Sequence, residues 1–333
     1  LALDLRALAP GERVVEVAAV TRQGAALGLV RVTLRKLAPA ASGVAEVKID
    51  QENRCLLVDG KPFFPVGICV SDFSPEAMQE YHDLGFNTII RWGMGAGNNH
   101  PASLAVEGLD AARAKGIRVI ESPLSFLKTA LGSAKARTPA GLAQAAAEAP
   151  DFIRVVRGHP ALLAYYGLDE APEQQLGDGL RAFYAAIRDN DPYHPLYFSG
   201  SSSSRHANYA YADILGRHAY WCELGFPPRD TPNAVAGPLD WAYANASEPN
   251  RRPLFFMPQA EMTSASRRPH GPAQRRVTVY MGLIHGAKSM IYWRGPLFHA
   301  ATPASMKELS AEINAMAPAL VRLAADVRLR AAE

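Results

Sequence analysis

One apolar segment restricts the fold more than any other part of this sequence. Residues 161–168 read Ala-Leu-Leu-Ala-Tyr-Tyr-Gly-Leu, a run of strand length with no charged side chain. A strand with one face in water alternates polar and apolar residues, whereas a strand covered on both faces is apolar throughout. The segment is therefore predicted to be a central strand of a parallel sheet, which has helices on its faces.

Segments of the same kind recur along the chain, and helical patterns separate most of them. The predicted strands span residues 63–70, 86–92, 117–121, 161–168, 196–199, 214–219, 253–259 and 289–293. The predicted helices span residues 75–84, 104–115, 139–157, 173–190, 233–246, 273–285 and 303–314. Strands alternating with helices in this number, over about 270 residues, are typical of a (β/α)8 TIM barrel in the α/β class.

The beginning of the chain has a different pattern. Residues 14–20 and 27–34 are rich in β-branched side chains, and the Gln23-Gly24 pair between them predicts a hairpin. Two or three strands do not form a stable sandwich alone, so this segment is expected either to end a larger β domain or to pack on the main domain. The predicted domains are a β-rich segment at residues 1–45 and the barrel at residues 46–333.

Charge and hydropathy limit the partners of the chain. It has 333 residues and a formal net charge of +3. Three arginine pairs, at 251–252, 267–268 and 275–276, lie in otherwise mixed sequence, and each is expected in a solvated loop. A nucleic-acid partner is therefore not expected. A membrane partner is not expected either, because no apolar run reaches the length of a transmembrane helix.

The cysteines give no sign of a metal or cofactor. Cys55, Cys69 and Cys222 are isolated and lack metal-binding spacing. We expect no cofactor and no metal. The cysteines do not assign a compartment, and a secreted or periplasmic location is favoured over a cytoplasmic one.

Two adjacent carboxylates follow the apolar segment at once. Asp169 and Glu170 come directly after residue 168 and therefore at the carboxyl end of the predicted strand, where α/β barrels collect their catalytic groups. An acid held at an apolar rim suits acid-assisted cleavage of a glycosidic bond. The alternative for an isolated Asp-Glu pair is a cap for the following helix.

Other predicted strands also end in chemically active side chains, and these should face the same cavity. The candidate substrate-binding residues are Arg91, Trp92, Glu121, Asp169, His218, Tyr220, Gln259 and Trp293, and the candidate catalytic residues are Glu170 and Glu261. Aromatic faces stack on the apolar faces of a sugar, while carboxylates, amides and arginine bind its hydroxyls. Each tryptophan on its own is equally consistent with a place in the core. A single histidine such as His218 is more often structural than a ligand.

Several stretches of the sequence resemble family 2 and related clan A glycoside hydrolases. The resemblance covers residues 46 to about 300 and rests on Asp59-Gly60-Lys61-Pro62-Phe63-Phe64-Pro65-Val66-Gly67, Gly85-Phe86-Asn87-Thr88-Ile89-Ile90-Arg91, residues 159–170, and Ile284-His285-Gly286-Ala287-Lys288-Ser289-Met290-Ile291-Tyr292-Trp293. It implies a β-glycosidase that retains anomeric configuration, with a poly- or oligosaccharide as its partner.

The resemblance also implies roles for individual residues. Glu170 is the general acid/base, and a carboxylate at the end of the seventh strand is the nucleophile. Arg91 keeps that nucleophile ionised, a Tyr or His of the sixth strand donates a hydrogen bond to it, and Trp293 lies under the sugar that is cleaved. Such catalysis requires a raised pKa for Glu170, which burial and the charge of its partner would supply.

Two positions depart from the family pattern. Asp169 stands where the clan usually has an asparagine that binds the sugar 2-hydroxyl. The seventh strand places Gln259 nearest the nucleophile position, and a glutamine cannot form a glycosyl ester. Glu261 lies two residues further on and points to the same side if the strand continues, so we expect it to be the nucleophile.

Three functions compete on this sequence. The first is a retaining β-glycosidase with Glu170 and Glu261 as its carboxylate pair. The second is a catalytically weakened or non-catalytic carbohydrate-binding barrel, with Gln259 at the nucleophile position. The third is a metal hydrolase that uses His159, His218 and Asp169, although these residues lack clustered metal-ligand spacing. No motif in the sequence identifies the sugar, the linkage, endo or exo action, or the oligomeric state.

Overall fold

A computed structural model describes residues 7–92, 99–129, 138–170, 173–200, 211–220, 233–247, 251–260, 271–293 and 301–322. The chain separates into two units, residues 1–42 and residues 43–333.

The first unit contains the predicted hairpin. Strands β1 (Gly11–Val20) and β2 (Ala26–Lys36) pair antiparallel, and Gly24 occupies the left-handed region in the turn between them. The register places Val15, opposite Val32, on one face of the ribbon together with other apolar side chains. The opposite face is mixed: it has an exposed ion pair between Glu16 and Arg31 and also apolar side chains such as Leu29.

The second unit is an eight-stranded closed parallel barrel, which confirms the predicted α/β fold class. Its strands are β6 (Val66–Val70), β7 (Thr88–Arg91), β8 (Arg118–Glu121), β9 (Leu162–Asp169), β10 (Leu196–Gly200), β11 (Ile214–His218), β12 (Leu254–Met257) and β13 (Met290–Tyr292). The strands follow one another around the barrel in chain order, and β13 closes it against β6. Residues 161–168, the segment from which the parallel sheet was predicted, correspond closely to β9 and are buried throughout.

A small antiparallel sheet covers the amino-terminal end of the barrel. It consists of β3 (Val47–Asp50), β4 (Cys55–Val58) and β5 (Lys61–Phe63). Val47 and Leu56 belong to the same apolar cluster as the side chains inside the barrel. The sequence predicted one strand from 63 to 70, but the chain changes sheets at Phe64-Pro65. Proline has no N–H for a ladder hydrogen bond, which explains the break at this point.

Helices pack around the outside of the barrel. They are α1 (Pro75–Asp83), α2 (Ala102–Ala114), α3 (Pro139–Val156), α4 (Glu173–Asn190), α5 (Asn233–Ala242), α6 (Pro272–Ile284) and α7 (Ala301–Leu320). Ser74 and Thr138 cap α1 and α3 by accepting hydrogen bonds from the N–H groups of Ala77 and Gly141. Among the described residues, none of these helices has the length and apolar character needed to cross a membrane.

The barrel has separate inner and outer apolar layers. Cys69, Ile90 and Ile120 belong to the inner cluster, whereas their neighbours Ile89 and Val119 belong to the outer cluster under the helices. This alternation is the period-two pattern of a strand. It determines which rim residues face the cavity at the carboxyl ends of the strands.

We expect Gly67→Ala to destabilise the barrel strongly. A Cβ at Gly67 of β6 would lie 1.6 Å from the carbonyl oxygen of Thr88 on β7, so the two strands would have to separate. We expect a loss of about 3 kcal/mol or more in the free energy of unfolding, measured by urea denaturation. The control is Gly177→Ala in α4, where nothing lies within 4 Å of the new Cβ and alanine favours the helix. Equal stability of the two variants would contradict the close approach of β6 and β7.

Candidate active site at the carboxyl ends of the strands

The end of β9 departs from regular strand geometry. Tyr166 pairs with Tyr197 of β10, but the next pair is Asp169 with Ser199, so β9 has one extra residue there. Leu168 consequently packs in the outer layer. Strict alternation from Tyr166 would instead place Leu168 inside and Asp169 outside. The bulge turns Asp169 inward, where its Oδ1 accepts a hydrogen bond of 3.1 Å from the Tyr166 hydroxyl.

Glu170 has a backbone conformation that is uncommon for its residue type. Its φ is 51°, in the left-handed region, and its N–H donates a 2.8 Å hydrogen bond to the carbonyl of Ser199 on β10. A non-glycine residue in such a conformation costs on the order of 1 kcal/mol and is frequent at functional sites. The side chain is 49% exposed, compared with 14% for Asp169. The two adjacent carboxylates therefore differ in access to the cavity.

His218 from the end of β11 lies between these two carboxylates. Its Nε2 is 3.6 Å from Asp169 Oδ1 and also 3.6 Å from Glu170 Oε1. These distances exceed a good hydrogen bond, so the interaction is electrostatic when the imidazole is protonated. Three titratable side chains from two strands therefore meet at the rim. A helix cap, the alternative that the sequence left open for Asp169 and Glu170, does not require such an arrangement.

Aromatic rings surround this group. Trp92 lies edge-on to Tyr166 and to Trp293, with centroid distances of 5.3 Å and 5.1 Å. The ring of Trp293 is nearly parallel to that of His218, and Tyr220 is 5.6 Å from the same imidazole. Trp92 and Trp293 are half-buried, which leaves part of each indole exposed. Exposed indole surface beside carboxylates is suited to binding the apolar face of a sugar ring.

Gln259 and Trp293 connect the ends of the seventh and eighth barrel strands. Gln259 is fully buried, and it forms a bridge to Trp293 at the barrel rim. Phe255 and Met257 belong to the inner cluster, so the alternation of β12 also directs Gln259 inward. The N–H of Trp293 donates a hydrogen bond to the carbonyl of Pro258, and the carbonyl of Trp293 accepts one from the N–H of Ala260. Glu261, the expected nucleophile, lies outside the described residues.

Arg275 of α6 is a residue of this region that the sequence analysis misassigned. The pair at 275–276 was expected in a solvated loop, but both residues lie on α6 and Arg275 is fully buried. Its guanidinium donates to the carbonyl of Ala260 at 3.2 Å and to the hydroxyl of Thr302 at 3.1 Å, and it also bonds to Ser305. The sequence signal against a loop was the helix predicted over residues 273–285, which contains both arginines. Arg275 holds the chain immediately before Glu261.

Arg91 and Glu121 lie behind the rim rather than in the cavity. Their side chains form a buried ion pair, with 2.6 Å between Arg91 Nε and Glu121 Oε1. The Arg91 guanidinium lies 3.6 Å from the ring centroid of Phe73. It also packs against Gly108 of α2, where an added Cβ would lie only 2.2 Å from Arg91 Nη2. Since Ile90 faces inward, alternation turns Arg91 outward. The expectation that all strand-end residues face one cavity is therefore wrong for this pair.

Burial shifts the pKa of Glu121 and that of Tyr166, the tyrosine that donates to Asp169. Desolvation raises the pKa of the Glu121 carboxyl, and the positive charge of Arg91 opposes that shift. Burial, followed by the charge of Asp169, raises the pKa of Tyr166 well above its usual range. Tyr166 therefore remains a hydrogen-bond donor to Asp169 throughout the physiological pH range.

The three residues considered for a metal do not form one group, because His159 lies away from Asp169 and His218. His159 lies before β9, where its Nε2 is 3.1 Å from Asp110 and its Nδ1 accepts from the N–H of Ala161. His218 lies at the other end of the barrel, as the last residue of β11. In the part of the chain that the structure describes, no group of three histidine, cysteine, aspartate or glutamate side chains is arranged to hold a metal.

Similarity to known proteins is found at the level of structure. No family model matches the sequence, and no curated protein matches it either. A β-glucuronidase from Ruminococcus gnavus in complex with D-glucuronic acid has 13% sequence identity and a TM-score of 0.58, and the match covers 88% of this chain and 55% of that one. A GH2 β-galacturonidase from Eisenbergiella tayi bound to galacturonate has 17% identity and a TM-score of 0.58, with 91% and 58% covered.

A third structure, described as a glycoside hydrolase, has 13% identity and a TM-score of 0.59, and the match covers 84% of this chain and 76% of that one. This chain thus spans a little over half the length of the two uronidases. At these identities the similarity shows a shared fold.

We expect Arg91→Met to destabilise the protein in a pH-dependent manner. Without the guanidinium, the Glu121 carboxylate is a buried unpaired charge, which costs about 3–5 kcal/mol. Because burial raises the folded-state pKa of Glu121, the cost is absent below the pKa of the unfolded chain and grows as the pH rises above it. Urea unfolding at about pH 5 and about pH 8 measures this difference.

The control is the double variant Arg91→Met/Glu121→Met, which removes both charges. It should recover much of the lost stability and lose the pH dependence. A stability loss in Arg91→Met that is the same at both pH values would contradict the assignment of a buried charged pair.

Proposed function

We propose that this protein is a β-glycosidase that acts on a poly- or oligosaccharide with retention of configuration. The observation that carries the proposal is the group at the barrel rim, where Asp169, Glu170 and His218 meet beside the half-buried indoles of Trp92 and Trp293. A carboxyl group at this place supplies one of the two carboxyl groups that glycoside cleavage uses, and the indoles supply a stacking surface for the sugar. The fold shared with a β-glucuronidase, a GH2 β-galacturonidase and a third glycoside hydrolase supports the same class of reaction.

In this proposal Glu170 is the general acid/base. Its carboxyl group is half-exposed, so it can reach the glycosidic oxygen of a bound sugar. In the first step it would donate a proton to that oxygen while a second carboxylate forms an ester with the anomeric carbon. In the second step it would take a proton from the water that hydrolyses the ester. Two inversions at the same carbon give net retention.

Asp169 has a different role in the proposal. Its carboxylate accepts from Tyr166 and is mostly buried, so it is held in one position. A fixed acceptor is suited to a sugar hydroxyl, which has a proton to donate. His218 lies beside Asp169, Tyr220 lies beside His218, and both would complete this polar wall. Trp293, with Trp92, would supply the stacking surface.

The proposed nucleophile is Glu261. Gln259 lies on the inward side of β12, so a continuing strand would direct Glu261 the same way. Arg275 supports this proposal because it holds the carbonyl of Ala260, the residue directly before Glu261. Retention requires the two carboxyl groups to be roughly 5–5.5 Å apart.

A second candidate function is a carbohydrate-binding barrel without turnover. The observation that favours it is the position of Gln259, which is buried, directed inward and bridged to Trp293. An amide at the nucleophile position binds a sugar hydroxyl but cannot form the ester. In that case Glu170 would contribute to binding only.

The uronate ligands of two structural neighbours suggest the first substrates to test. These are aryl β-D-glucuronides and β-D-galacturonides, with the corresponding β-glucosides and β-galactosides for comparison.

The Arg91–Glu121 pair would act in this proposal by supporting the rim from behind and not by contact with the sugar.

We expect Glu170→Gln to lower kcat/KM about 10²–10⁴-fold for substrates with a poor leaving group. The loss in kcat/KM should be much smaller for an aryl glycoside whose leaving group needs little protonation, because kcat/KM reports the first step, in which Glu170 acts as the acid, and not the later hydrolysis of the ester. Steady-state kinetics on a matched pair of such substrates measures the difference. The control is Glu107→Gln on α2, which removes an exposed carboxylate and should leave both rates unchanged. An equal loss for both leaving groups would reject Glu170 as the acid.

We expect Glu261→Ala to abolish turnover, because no ester can form without a nucleophile. Added azide should restore product in this variant as the glycosyl azide of inverted configuration, detected by NMR. Mass spectrometry of the wild-type protein treated with a 2-deoxy-2-fluoro glycoside should place the trapped sugar on Glu261. Full activity of Glu261→Ala would reject this nucleophile. A wild-type protein that binds the sugars but turns over none of them would favour the binding barrel with Gln259.

A further inference from the structure

A second cavity lies at the opposite end of the barrel from Glu170. Its volume is about 520 Å³, within the range of small-molecule sites. It is lined by β3, by the carboxyl-terminal part of α4, and by the residues that precede β10, β11 and β12. All of these belong to the second unit of the chain. The sugar site proposed above uses the carboxyl ends of the strands, whereas this cavity opens at their amino ends.

Both carboxylates of the lining are already bonded within the protein. Asp213 accepts from the Tyr184 hydroxyl at 2.6 Å and from the N–H of Leu196 at 2.9 Å. Asp191 accepts from the Tyr165 hydroxyl at 2.6 Å and lies 2.7 Å from His194 Nδ1. Both acidic groups therefore serve to build the wall, and a cationic ligand would have to break these bonds to use them.

The cationic side chains of the lining are more numerous and come from separate elements. They are Lys48 of β3, Arg188 of α4, and Arg251 and Arg252 before β12. Arg188 donates to the Tyr184 hydroxyl at 3.2 Å, which directs its guanidinium along the cavity wall. Lys48 also contacts Glu46 at the surface. Since Lys48 is paired with Glu46, the excess positive charge of the lining comes from the three arginines, set against Asp191 and Asp213.

The main chain holds the arginine pair in place. The N–H of Arg252 donates to the carbonyl of Ser247 at 3.1 Å, and the Ser247 hydroxyl donates back to the carbonyl of Arg252 at 2.6 Å. Arg251 has a φ of 51°, so the turn presents the two side chains from a constrained backbone. From the sequence, a solvated loop is expected for this pair. The structure brings it beside Arg188 and Lys48, which lie far away in the sequence.

We propose that this cavity binds a small ligand through a carboxylate, sulfate or phosphate group. Guanidinium groups form paired hydrogen bonds with such oxyanions, and three arginines around one cavity supply several of them. Tyr184, Ile49 and the prolines that flank His194 provide an apolar surface for the rest of the ligand. The source of the oxyanion is either an acidic sugar or a free inorganic anion. The site is separate from the proposed glycosidase site and does not depend on it.

The test is calorimetric titration of the whole chain with inorganic phosphate, inorganic sulfate and D-glucuronate, with D-glucose as the neutral control. We expect saturable binding of at least one anion, weakened about tenfold or more in Arg188→Gln and in Arg251→Gln. The matched control is Arg181→Gln, on the same helix as Arg188, where the arginine is exposed and pairs with Asp178. It should bind like the wild-type protein.

The outcomes separate the two sources and the two sites. Tighter binding of glucuronate than of the inorganic anions identifies an acidic sugar, and the reverse order identifies an inorganic anion. Absence of saturable binding, equal affinity of both arginine variants and the wild-type protein, or equal binding of D-glucose overturns the proposal. Circular dichroism of each variant verifies that its fold is intact.

Discussion

The irregular register of β9 is the feature on which the candidate site depends. One extra residue between the Tyr166 and Asp169 pairings with β10 reverses the direction of the side chains that follow. Without it, a leucine would point into the cavity and the aspartate would face the helices. The bulge also leads into the left-handed residue at 170, whose N–H remains bonded to β10. A single local irregularity thus brings two acidic groups to the mouth of an otherwise apolar barrel.

Buried charged residues between the barrel and its helices hold the strand ends that form the candidate site. Arg91 and Glu121 are paired beneath α2, and Arg275 of α6 bonds the end of β12. Each of these charged groups is buried, so each needs its partners to offset the loss of hydration. Because their partners lie on different elements, the same bonds tie the strand ends to the surrounding helices. The site is therefore coupled to the packing of the layer behind it.

The barrel was predictable from sequence because continuous apolar strands of this length leave few other folds open. The site was only partly predictable. Side chains at the carboxyl ends of the strands were expected near one another, and alternation or the bulge does turn several of them inward. These are Trp92, Asp169, Glu170, His218 and Trp293. The same expectation misplaced Arg91 and Glu121 because a strand end has two faces, and the period of two decides between them. The bulge itself has no sequence signal beyond Gly167, and the role of Arg275 required knowledge of which helix face is buried.

The backbone of Glu170 has a consequence for how such a protein would change over many generations. A glutamate in a left-handed conformation is less favourable than glycine or asparagine at the same place, so replacing it would relieve strain. Random drift toward greater stability would therefore tend to remove this side chain. A lineage that kept the fold but lost the need for the chemistry should show its first neutral losses at this position, before any change in the apolar core.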